Sequence, residues 1–340
     1  MTKERTLLKY ITTFSVLFAF LVIALGAFTR LVDAGLGCPD WPGCYGHVLW
    51  PESAEEVAQA NQAYPGTPVE HDKTWPEMVH RHLATTLGVL SLLIVLLAVR
   101  YRVNSGIKMT LPLLILGMII LQGMFGMWTV TLKLWPQVVT AHLLGGFATL
   151  SLFWLLRLQI THQSVEAPCQ HYQRIKQLLP LLYITLFVVI MQIFLGGWTT
   201  SNYANVACPD FPTCQNQWWP AMDFKQGFNL NQHIGPNYLG GVLDNSSRVA
   251  IHMMHRLGAI VVLIMVLISG LKVLKAGVAE LKPKVMALFG VLGVQIALGI
   301  SNIVFDFPLF VAVAHNLIGA LLLLKVISLI YAMSSITDAK

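Results

Sequence analysis

Charged residues are scarce in this sequence, at 11% of 340 residues, against roughly 25% in a typical soluble domain. Hydrophobic residues make up 56% of the chain. So few charges cannot cover the surface of a soluble protein of this length. The composition therefore indicates an integral membrane protein with several spans and without a large soluble domain.

Eight apolar segments are long enough to cross a bilayer, which takes about 20 residues each. The first follows Lys3, Arg5 and Lys9, as the core of a signal peptide would. Its apolar run is too long for that role, and no convincing cleavage site follows it. We therefore expect an all-α integral membrane protein with eight transmembrane helices. The predicted spans lie near residues 11–30, 79–99, 109–130, 138–160, 178–200, 248–271, 284–304 and 309–332.

Acidic residues are nearly missing from one set of connections. Both ends of the chain and the second, fourth and sixth connections together hold 14 basic and four acidic residues. The other connections and adjoining span ends hold seven basic and 12 acidic residues. The positive-inside rule then predicts that both termini are cytoplasmic. The net charge of +6 is thus a topology signal rather than a nucleic-acid-binding patch. Lys325, near the inner end of the last span, is expected to snorkel.

Cysteine is also rare, and four of the five cysteines fall in two outer loops. Cys38 and Cys44 bound one Cys-Pro-Asp-aromatic-Pro-x-Cys sequence, and Cys208 and Cys214 bound another. An outer, oxidising location permits disulfide bonds, with loop stapling as their plain structural role. Zinc is disfavoured, because neither pair has an adjacent second pair of ligands. Cys169 falls in an inner connection, where we expect a free thiol.

The first outer loop, about residues 31–76, is the longest connection of the first half. Its middle is acidic and contains proline, so we expect it to be solvated. A short amphipathic helix is predicted near Ser53–Ala63. The third outer loop, about residues 201–246, is similar but richer in Asn and Gly.

The cysteine loops belong to a longer internal repeat. The Gly26–Thr29 stretch precedes the first loop and the Gly196–Thr199 stretch precedes the second, at an offset of 170 residues. At offsets of 173 to 175, further landmarks match in the same order. These pairs are His80-Arg81 with His255-Arg256, Gln122 with Gln295, Gly126 with Gly299, and His142 with His315.

The repeat predicts the organisation of the whole chain. Four spans separate equivalent positions, so the two halves begin on the same side of the membrane and are related by an axis along its normal. Short connections favour antiparallel neighbours. We predict two tandem, pseudo-symmetric four-helix bundles, residues 1–165 and residues 175–335.

Four histidines occupy repeat-related positions near the outer ends of spans. His80 and His142 lie in the first half, and His255 and His315 in the second. Each bundle can thus oppose two imidazoles across an apolar core, as bis-His haem ligation requires. Interhelical hydrogen bonding is the alternative role for an intramembrane histidine, and copper or zinc would be under-coordinated. Glycines that would let a flat macrocycle approach the backbone are Gly26, Gly123, Gly126, Gly145, Gly146, Gly196, Gly197, Gly258, Gly299 and Gly319.

Arginine follows one predicted ligand in each half. Arg81 comes after His80, and Arg256 comes after His255. A guanidinium at this depth could pair with haem propionates or snorkel to the lipid headgroups. The sequence alone leaves both roles open.

The halves differ at one ionisable position. Glu77 precedes His80 by three residues and shares its helix face, so it could act as an acid or stabilise a developing cation. Thr74 and Glu77 also fit a capping box at a helix start, which the spacing alone favours. The second half has His252 instead, as an alternative ligand, a propionate partner or an interfacial residue.

This ordered set of residues resembles the haem A synthase family over nearly the whole chain. The resemblance implies oxidation of the C8 methyl group of haem O to a formyl group, giving haem A for terminal oxidases. It implies that His255 and His315 ligate a resident haem b, that His80 and His142 line the substrate haem O site, and that Glu77 is the essential acid. It also implies the disulfides Cys38–Cys44 and Cys208–Cys214.

The resemblance further implies a multi-pass protein of the bacterial plasma (inner) membrane. Haem O synthase is then the expected donor of the substrate and terminal oxidase assembly the expected recipient of the product, and a homo-oligomer is compatible with both. The alternative is a di-haem b-type cytochrome that transfers electrons without modifying haem. A haem carrier is a third class. Glu77 opposite His252 favours the enzyme, because an electron relay needs no such acid.

Overall fold

The computed structural model describes residues 3–101, 108–161, 165–167 and 169–338. Within these residues, eight helices are long and apolar enough to cross a membrane. The prediction of an all-α membrane protein with eight spans is confirmed. The eight helices are α1 Lys3–Leu31, α3 His71–Arg100, α4 Thr110–Thr131, α5 Pro136–Ile160, α6 Cys169–Ser201, α8 Asn245–Lys275, α9 Lys282–Val304 and α10 Leu309–Ser334.

Short elements fill the outer loops. The predicted helix of the first outer loop is α2, Ala54–Ala63, and it begins with a capping box. The Ser53 hydroxyl accepts a hydrogen bond from the Glu56 amide, and the Glu56 carboxylate accepts one from the Ser53 amide. Both groups satisfy amides that the first helical turn leaves unpaired. The third outer loop contains a 3-10 turn, Ala204–Val206, and the short helix α7, Phe224–Gly227.

Two short strands connect the middle of the chain to its end. β1, Val165–Ala167, pairs in parallel with β2, Ile336–Asp338. The predicted loop location of Cys169 is wrong, because α6 begins at this residue, before residue 178, where the fifth span is predicted to begin. Its side chain lies outside the described part of the structure, as do Arg102, His162 and Lys340.

The spans pack as two closed rings of four. In the first half, α1 packs on α3, α3 on α4, α4 on α5, and α5 back on α1. In the second half, α6, α8, α9 and α10 pack in the same cyclic order. Helices α3 and α5 therefore stand diagonally opposite, and so do α8 and α10. The rings meet where α1 and α5 contact α6 and α10.

Polar contacts join the two rings at two depths. Near the outer end, the Thr140 and Ser201 hydroxyls form a buried hydrogen bond of 2.9 Å between α5 and α6. Towards the other end, Trp154 donates to Ser328 at 2.7 Å between α5 and α10. Between them, an apolar core runs continuously through both rings. The halves thus share one core rather than touching at a polar surface.

A third junction lies at the outer end of α1. Arg30 donates to the carbonyl of Thr200 at 2.7 Å and to the hydroxyl of Tyr203 at 2.8 Å. The Tyr203 hydroxyl donates in turn to Asp33 at 2.7 Å. Thr200 and Tyr203 are the positions 170 residues after Arg30 and Asp33. Equivalent positions of the two halves therefore contact each other.

Candidate functional site

Each of the four repeat-related histidines packs against a glycine of a neighbouring helix in its own ring. The histidines stand on α3 and α5 in the first half and on α8 and α10 in the second, so each pair faces across a diagonal. The two imidazoles of each half lie close enough to interact electrostatically. The pairs are Gly26 with His80, Gly126 with His142, Gly196 with His255, and Gly299 with His315.

The closest of these approaches is that of Gly26 to His80. A Cβ atom added at Gly26 would lie 2.8 Å from Cε1 of His80, closer than side chains tolerate. One added at Gly126 would lie 3.7 Å from Cε1 of His142, an ordinary van der Waals contact. Gly26 is therefore needed for the position of the His80 ring, whereas Gly126 leaves room.

The other glycines named from the sequence have different neighbours. Gly145, Gly258 and Gly319 approach glutamine side chains, and Gly197 approaches Thr140. Gly123 and Gly146, in α4 and α5, have nothing within 4 Å of an added Cβ. The backbone beside these two residues is open, as a flat ligand would require.

Glutamines contact the histidines of the second half. Gln192 of α6 places its amide nitrogen 3.1 Å from Nδ1 of His255 and donates to the His255 carbonyl at 2.9 Å. Gln295 of α9 places its amide nitrogen 3.3 Å from Nε2 of His315. The role of Gln192 was not predicted from the sequence. The feature that could have identified Gln192 in the sequence is a single amide side chain in an apolar run, four residues before Gly196.

Among the described residues, the histidines of the first half have no glutamine partner. The position 170 residues before Gln192 is Val22, whose backbone, rather than its side chain, lies within reach of His80. The amide nitrogen of Gln122 and the buried Nδ1 atoms of His80 and His142 lack hydrogen-bond partners among these residues, as does Nδ1 of His315 in the second half. Buried polar atoms are normally paired, so unpaired imidazole nitrogens here indicate room for an external ligand.

Glu77 lies at the outer edge of the first ring and is only 4% exposed. One carboxylate oxygen accepts a hydrogen bond from the Cys38 amide at 3.0 Å. The other accepts one from Arg81 at 2.5 Å, in an ion pair one helical turn apart. Both partners are charge-assisted donors to a buried carboxylate, which fixes its orientation.

The predicted capping box of Thr74 and Glu77 is wrong. Helix α3 begins at His71, so both residues lie inside the helix. The Thr74 hydroxyl donates back to the His71 carbonyl at 3.3 Å instead of capping an amide. The Glu77 carboxylate is therefore engaged with Arg81 and the cysteine loop, not with a helix start.

Arg81 holds the first cysteine loop against the end of α3. Its guanidinium donates to the carbonyl oxygens of Asp40, Pro42 and Gly43 at 2.6 to 3.2 Å. These bonds are additional to the ion pair with Glu77. The observed partners of Arg81 are loop carbonyls. From the sequence, the expected partners are haem propionates or lipid headgroups.

Arg256 does the same for the second cysteine loop. It donates to the carbonyl oxygens of Cys208, Asp210 and Thr213 at 2.7 to 3.1 Å. The two arginines thus perform equivalent roles in the repeat. Each fixes a loop over the outer end of its ring.

Both cysteine pairs form disulfide bonds, Cys38–Cys44 and Cys208–Cys214, as the resemblance implied. In each loop the aspartate after Cys-Pro accepts hydrogen bonds from backbone amides. Asp40 accepts from the amides of Tyr45 and Gly46 at 2.6 and 2.8 Å. The loops are therefore closed by a carboxylate as well as by the disulfide.

Two side chains of the cysteine loops have perturbed acidities. Burial raises the pKa of the Tyr45 phenol, and the nearby carboxylates of Glu70 and Glu77 raise it further. Burial opposes ionisation of Asp210, but hydrogen bonds from Thr213 and from backbone amides outweigh it and lower the pKa of this carboxyl group. Asp210 is therefore ionised at neutral pH, as its role in closing the loop requires.

His252 is buried beside the second loop, with 4% exposure. Its Nδ1 atom lies 2.9 Å from the carbonyl oxygen of Ala204. It is therefore not an exposed interfacial residue. His82, beside His80, is exposed and bonds to the carbonyl of Met78 in its own helix. Neither histidine contacts a glycine as the four repeat-related ones do.

The number of nearby ligand side chains distinguishes a haem site from a site for a bare metal ion. Across the described ranges of the chain, no group of three or more His, Cys, Asp or Glu side chains is placed to hold a metal ion. The arrangement is one pair of imidazoles per ring. Such a pair suits the two axial positions of a haem iron, whereas zinc takes four ligands.

Fold and site together define a multi-pass membrane protein with one pair of half-buried histidines in each half. Residues 9–327 match the cytochrome oxidase assembly protein family COX15-CtaA. The chain therefore belongs to this family.

Curated relatives match along nearly the whole chain. The chain is 42% identical to a heme A synthase of Shewanella oneidensis over 324 residues, which cover 95% of this chain and 96% of the relative. It is 28% identical to a heme A synthase of Allorhizobium ampelinum, covering 95% and 89%. It is 26% identical to one of Wolbachia pipientis, covering 88% and 90%.

Proposed function

We infer that this protein is a haem A synthase, an oxidoreductase that converts the C8 methyl group of haem O to a formyl group. The relatives that match nearly the whole chain carry this name. The observation that carries the inference is an asymmetry. Both rings have a pair of half-buried histidines, but only the first has a buried carboxylate, Glu77, one turn from a histidine.

The four histidines suit haem as a ligand. They are opposed in pairs within apolar rings, glycine backbones approach their rings, and buried imidazole nitrogens are unpaired among the described residues. We propose that His80 and His142 bind the substrate haem O and that His255 and His315 hold a resident haem b. A bound haem b would supply one-electron transfer to or from the first ring.

The two glutamines are consistent with this division. Gln192 and Gln295 contact His255 and His315, which suits histidines that hold a permanent group. Fixed outer-sphere hydrogen bonds orient a ligating imidazole. His80 and His142 are without such amide partners, which suits a site that must accept a substrate and release a product.

Glu77 is the residue we assign to the chemistry. The methyl group would be oxidised first to an alcohol and then to a hydrate or aldehyde, each step passing two electrons to an external oxidant, with the oxygen atom taken from water or O2. The Glu77 carboxylate would stabilise positive charge that develops at this carbon or would accept its proton. Its bonds to Arg81 and to the Cys38 amide hold it in place before substrate binds.

Arg81 and Arg256 would hold the disulfide loops as covers over the two haem sites. Their bonds to loop carbonyls support this role. A contact of either guanidinium with haem propionates stays a prediction. A closed cover would exclude water from the oxidised carbon, which strengthens the effect of a nearby carboxylate.

We further propose cytoplasmic termini and a division into two bundles, residues 1–165 and 175–335. The charge asymmetry of the connections supports the first, and the two rings of helix contacts support the second. In a bacterial plasma membrane, haem O synthase would supply the substrate and terminal oxidase assembly would take up the product. A homo-oligomer is compatible with this scheme.

Pigment analysis after co-expression with a source of haem O tests the function. A haem A synthase yields extractable haem A. A di-haem electron-transfer cytochrome yields bis-histidine haem b spectra without haem A. A haem carrier yields one exchangeable haem and no conversion. Either of the last two outcomes would contradict the proposed function.

A further inference from the structure

A cavity of about 640 Å³ lies between the two rings at the end of the molecule away from the disulfide loops. Helix α5 of the first ring and helices α9 and α10 of the second form its walls. Small-molecule sites typically have volumes of about 300–1,000 Å³. The cavity is distant from His142 and His315, because it is lined by the opposite ends of their helices, α5 and α10.

Three basic side chains line this cavity, one from each helix. They are Arg157 of α5, Lys284 of α9 and Lys325 of α10. Glu280 is the one acidic residue of the lining. The lining therefore carries an excess of positive charge and favours an anion.

Lys325 stands inside the last span rather than at its end. It stands nine residues before Ser334, the last residue of α10, which is about 13 Å along the helix axis. Its side chain is half-buried. It makes no hydrogen bond or ion pair with any residue that the structure describes. Ionisable residues at such depth usually face a cavity and a functional partner.

The remaining polar lining is held in place by the fold. Arg157 donates from Nε to the Thr13 hydroxyl at 3.1 Å and stacks over Trp154, 5.3 Å from its ring centre. Trp154 itself donates to Ser328. The guanidinium is therefore positioned before any ligand arrives, and the two lysines remain adjustable point charges.

We propose that this cavity binds the phosphate group of an anionic phospholipid from the leaflet into which it opens. Basic cavities between spans at the cytoplasmic side commonly bind such headgroups. Free phosphate shares the charge chemistry, but Leu158, Ala287 and Ala332 make part of the lining apolar, which suits the start of an acyl chain. The site is independent of the proposed catalytic function.

Thermal denaturation of the purified full-length protein in detergent tests this site. Phosphatidylglycerol is expected to raise the Tm, because a ligand that binds the folded state stabilises it. Phosphatidylcholine and inorganic phosphate at equal concentration are expected to leave it unchanged. Each lysine near a phosphate contributes about a fivefold factor in affinity, so the double variant Lys284→Met/Lys325→Met is expected to bind phosphatidylglycerol about 25-fold more weakly.

Lys282→Met is the matched control, because Lys282 is an exposed lysine of the same helix but does not line the cavity. It is expected to keep the wild-type response. If the double variant does not fold, Lys284→Met alone, an exposed substitution, is expected to weaken binding about fivefold. Native mass spectrometry counts the retained lipid molecules in each sample. An unchanged response in the lysine variants would overturn the site, and a response to inorganic phosphate alone would overturn the lipid assignment.

Discussion

The repeat-related histidines have different neighbours in the two halves, although their helices repeat. His255 and His315 contact the glutamines of α6 and α9, whereas Val22 replaces the first of these glutamines in the other half. A fixed amide partner restricts the orientation of an imidazole. The histidines of the second half are therefore more constrained, which suits the resident haem b proposed for that ring.

Histidine substitutions should separate the two sites by absorbance. In His255→Ala and His315→Ala, a proposed axial ligand of haem b is removed, so the haem b absorbance of the purified protein should fall to near zero. His80→Ala should retain it, because this histidine belongs to the other ring. His82→Ala is the control, as His82 is exposed. Haem b loss confined to His80→Ala would reverse the assignment of the rings.

Gly26 offers a test of the close approach to His80. In Gly26→Ala the new Cβ would lie 2.8 Å from Cε1 of His80, so the imidazole must move. Displacement of a group in a reactive site by about 1 Å can cost roughly 100-fold in rate, and we expect haem A formation to fall at least tenfold. Gly117→Ala in α4, where an added Cβ meets nothing within 4 Å, should be neutral. Equal rates for both variants would show that His80 does not need this contact.

At the scale of elements, the sequence predicts the spans well and the starts of α3 and α6 poorly. Long apolar runs have few alternatives to a spanning helix, because lipid cannot satisfy backbone groups. The capping-box spacing of Thr74 and Glu77 predicts that α3 begins near Thr74. The helix begins earlier, at His71. The same pattern at Ser53 and Glu56 does form a capping box.

The difference lies in competing partners for the glutamate. Glu56 is half-buried and has the amides of the helix start as its partners. Glu77 has Arg81 one turn away and the Cys38 amide from a distant loop. A contact 39 residues apart in sequence is not visible in local spacing. For the same reason, the bonds of Arg81 and Arg256 to loop carbonyls could not be predicted, as any backbone carbonyl can accept them.

The arginine–loop contacts should contribute to stability. In Arg256→Gln, three carbonyl oxygens lose a charged donor, and hydrogen bonds to charged groups contribute about 1.5–3 kcal/mol each. We expect the free energy of unfolding to fall by roughly 2–4 kcal/mol after partial rehydration of the loop. Chemical denaturation of the purified protein measures this change.

Lys272→Gln in the same helix is the control, because Lys272 is exposed and far from the loop. Limited proteolysis of the third outer loop gives a second reading, since a released loop should be cut faster. Unchanged stability and unchanged cleavage in Arg256→Gln would mean that the disulfide and Asp210 alone hold the loop.

At the scale of the whole molecule, the repeat brings equivalent positions together at the junction of Arg30, Asp33, Thr200 and Tyr203. The sequence offset of 170 predicts that these residues are equivalent, but not that they touch. Contact requires that they lie near the axis between the rings, which depends on how the rings pack.

A double-mutant cycle tests this junction. Asp33→Ala and Tyr203→Phe each remove one side of the hydrogen bond at 2.7 Å. Residues in one hydrogen-bonded network are expected to show a coupling energy of about 0.5–3 kcal/mol in the free energy of unfolding. Asp33→Ala combined with Tyr238→Phe should be additive, because Tyr238 donates to His233 instead. Additivity in both cycles would show that the junction does not hold the halves together.

The central claim is that the ring containing Glu77 oxidises haem O. Its most direct test is the ratio of haem A to haem O extracted from membranes that contain Glu77→Gln. Glu70→Gln is the control, since Glu70 is an exposed carboxylate just before the same helix. Loss of a positioned acid or electrostatic group costs about 100-fold or more. We predict that Glu77→Gln retains the haem b spectrum and accumulates haem O with at least 100-fold less haem A, whereas haem A formed at the wild-type rate would contradict the account.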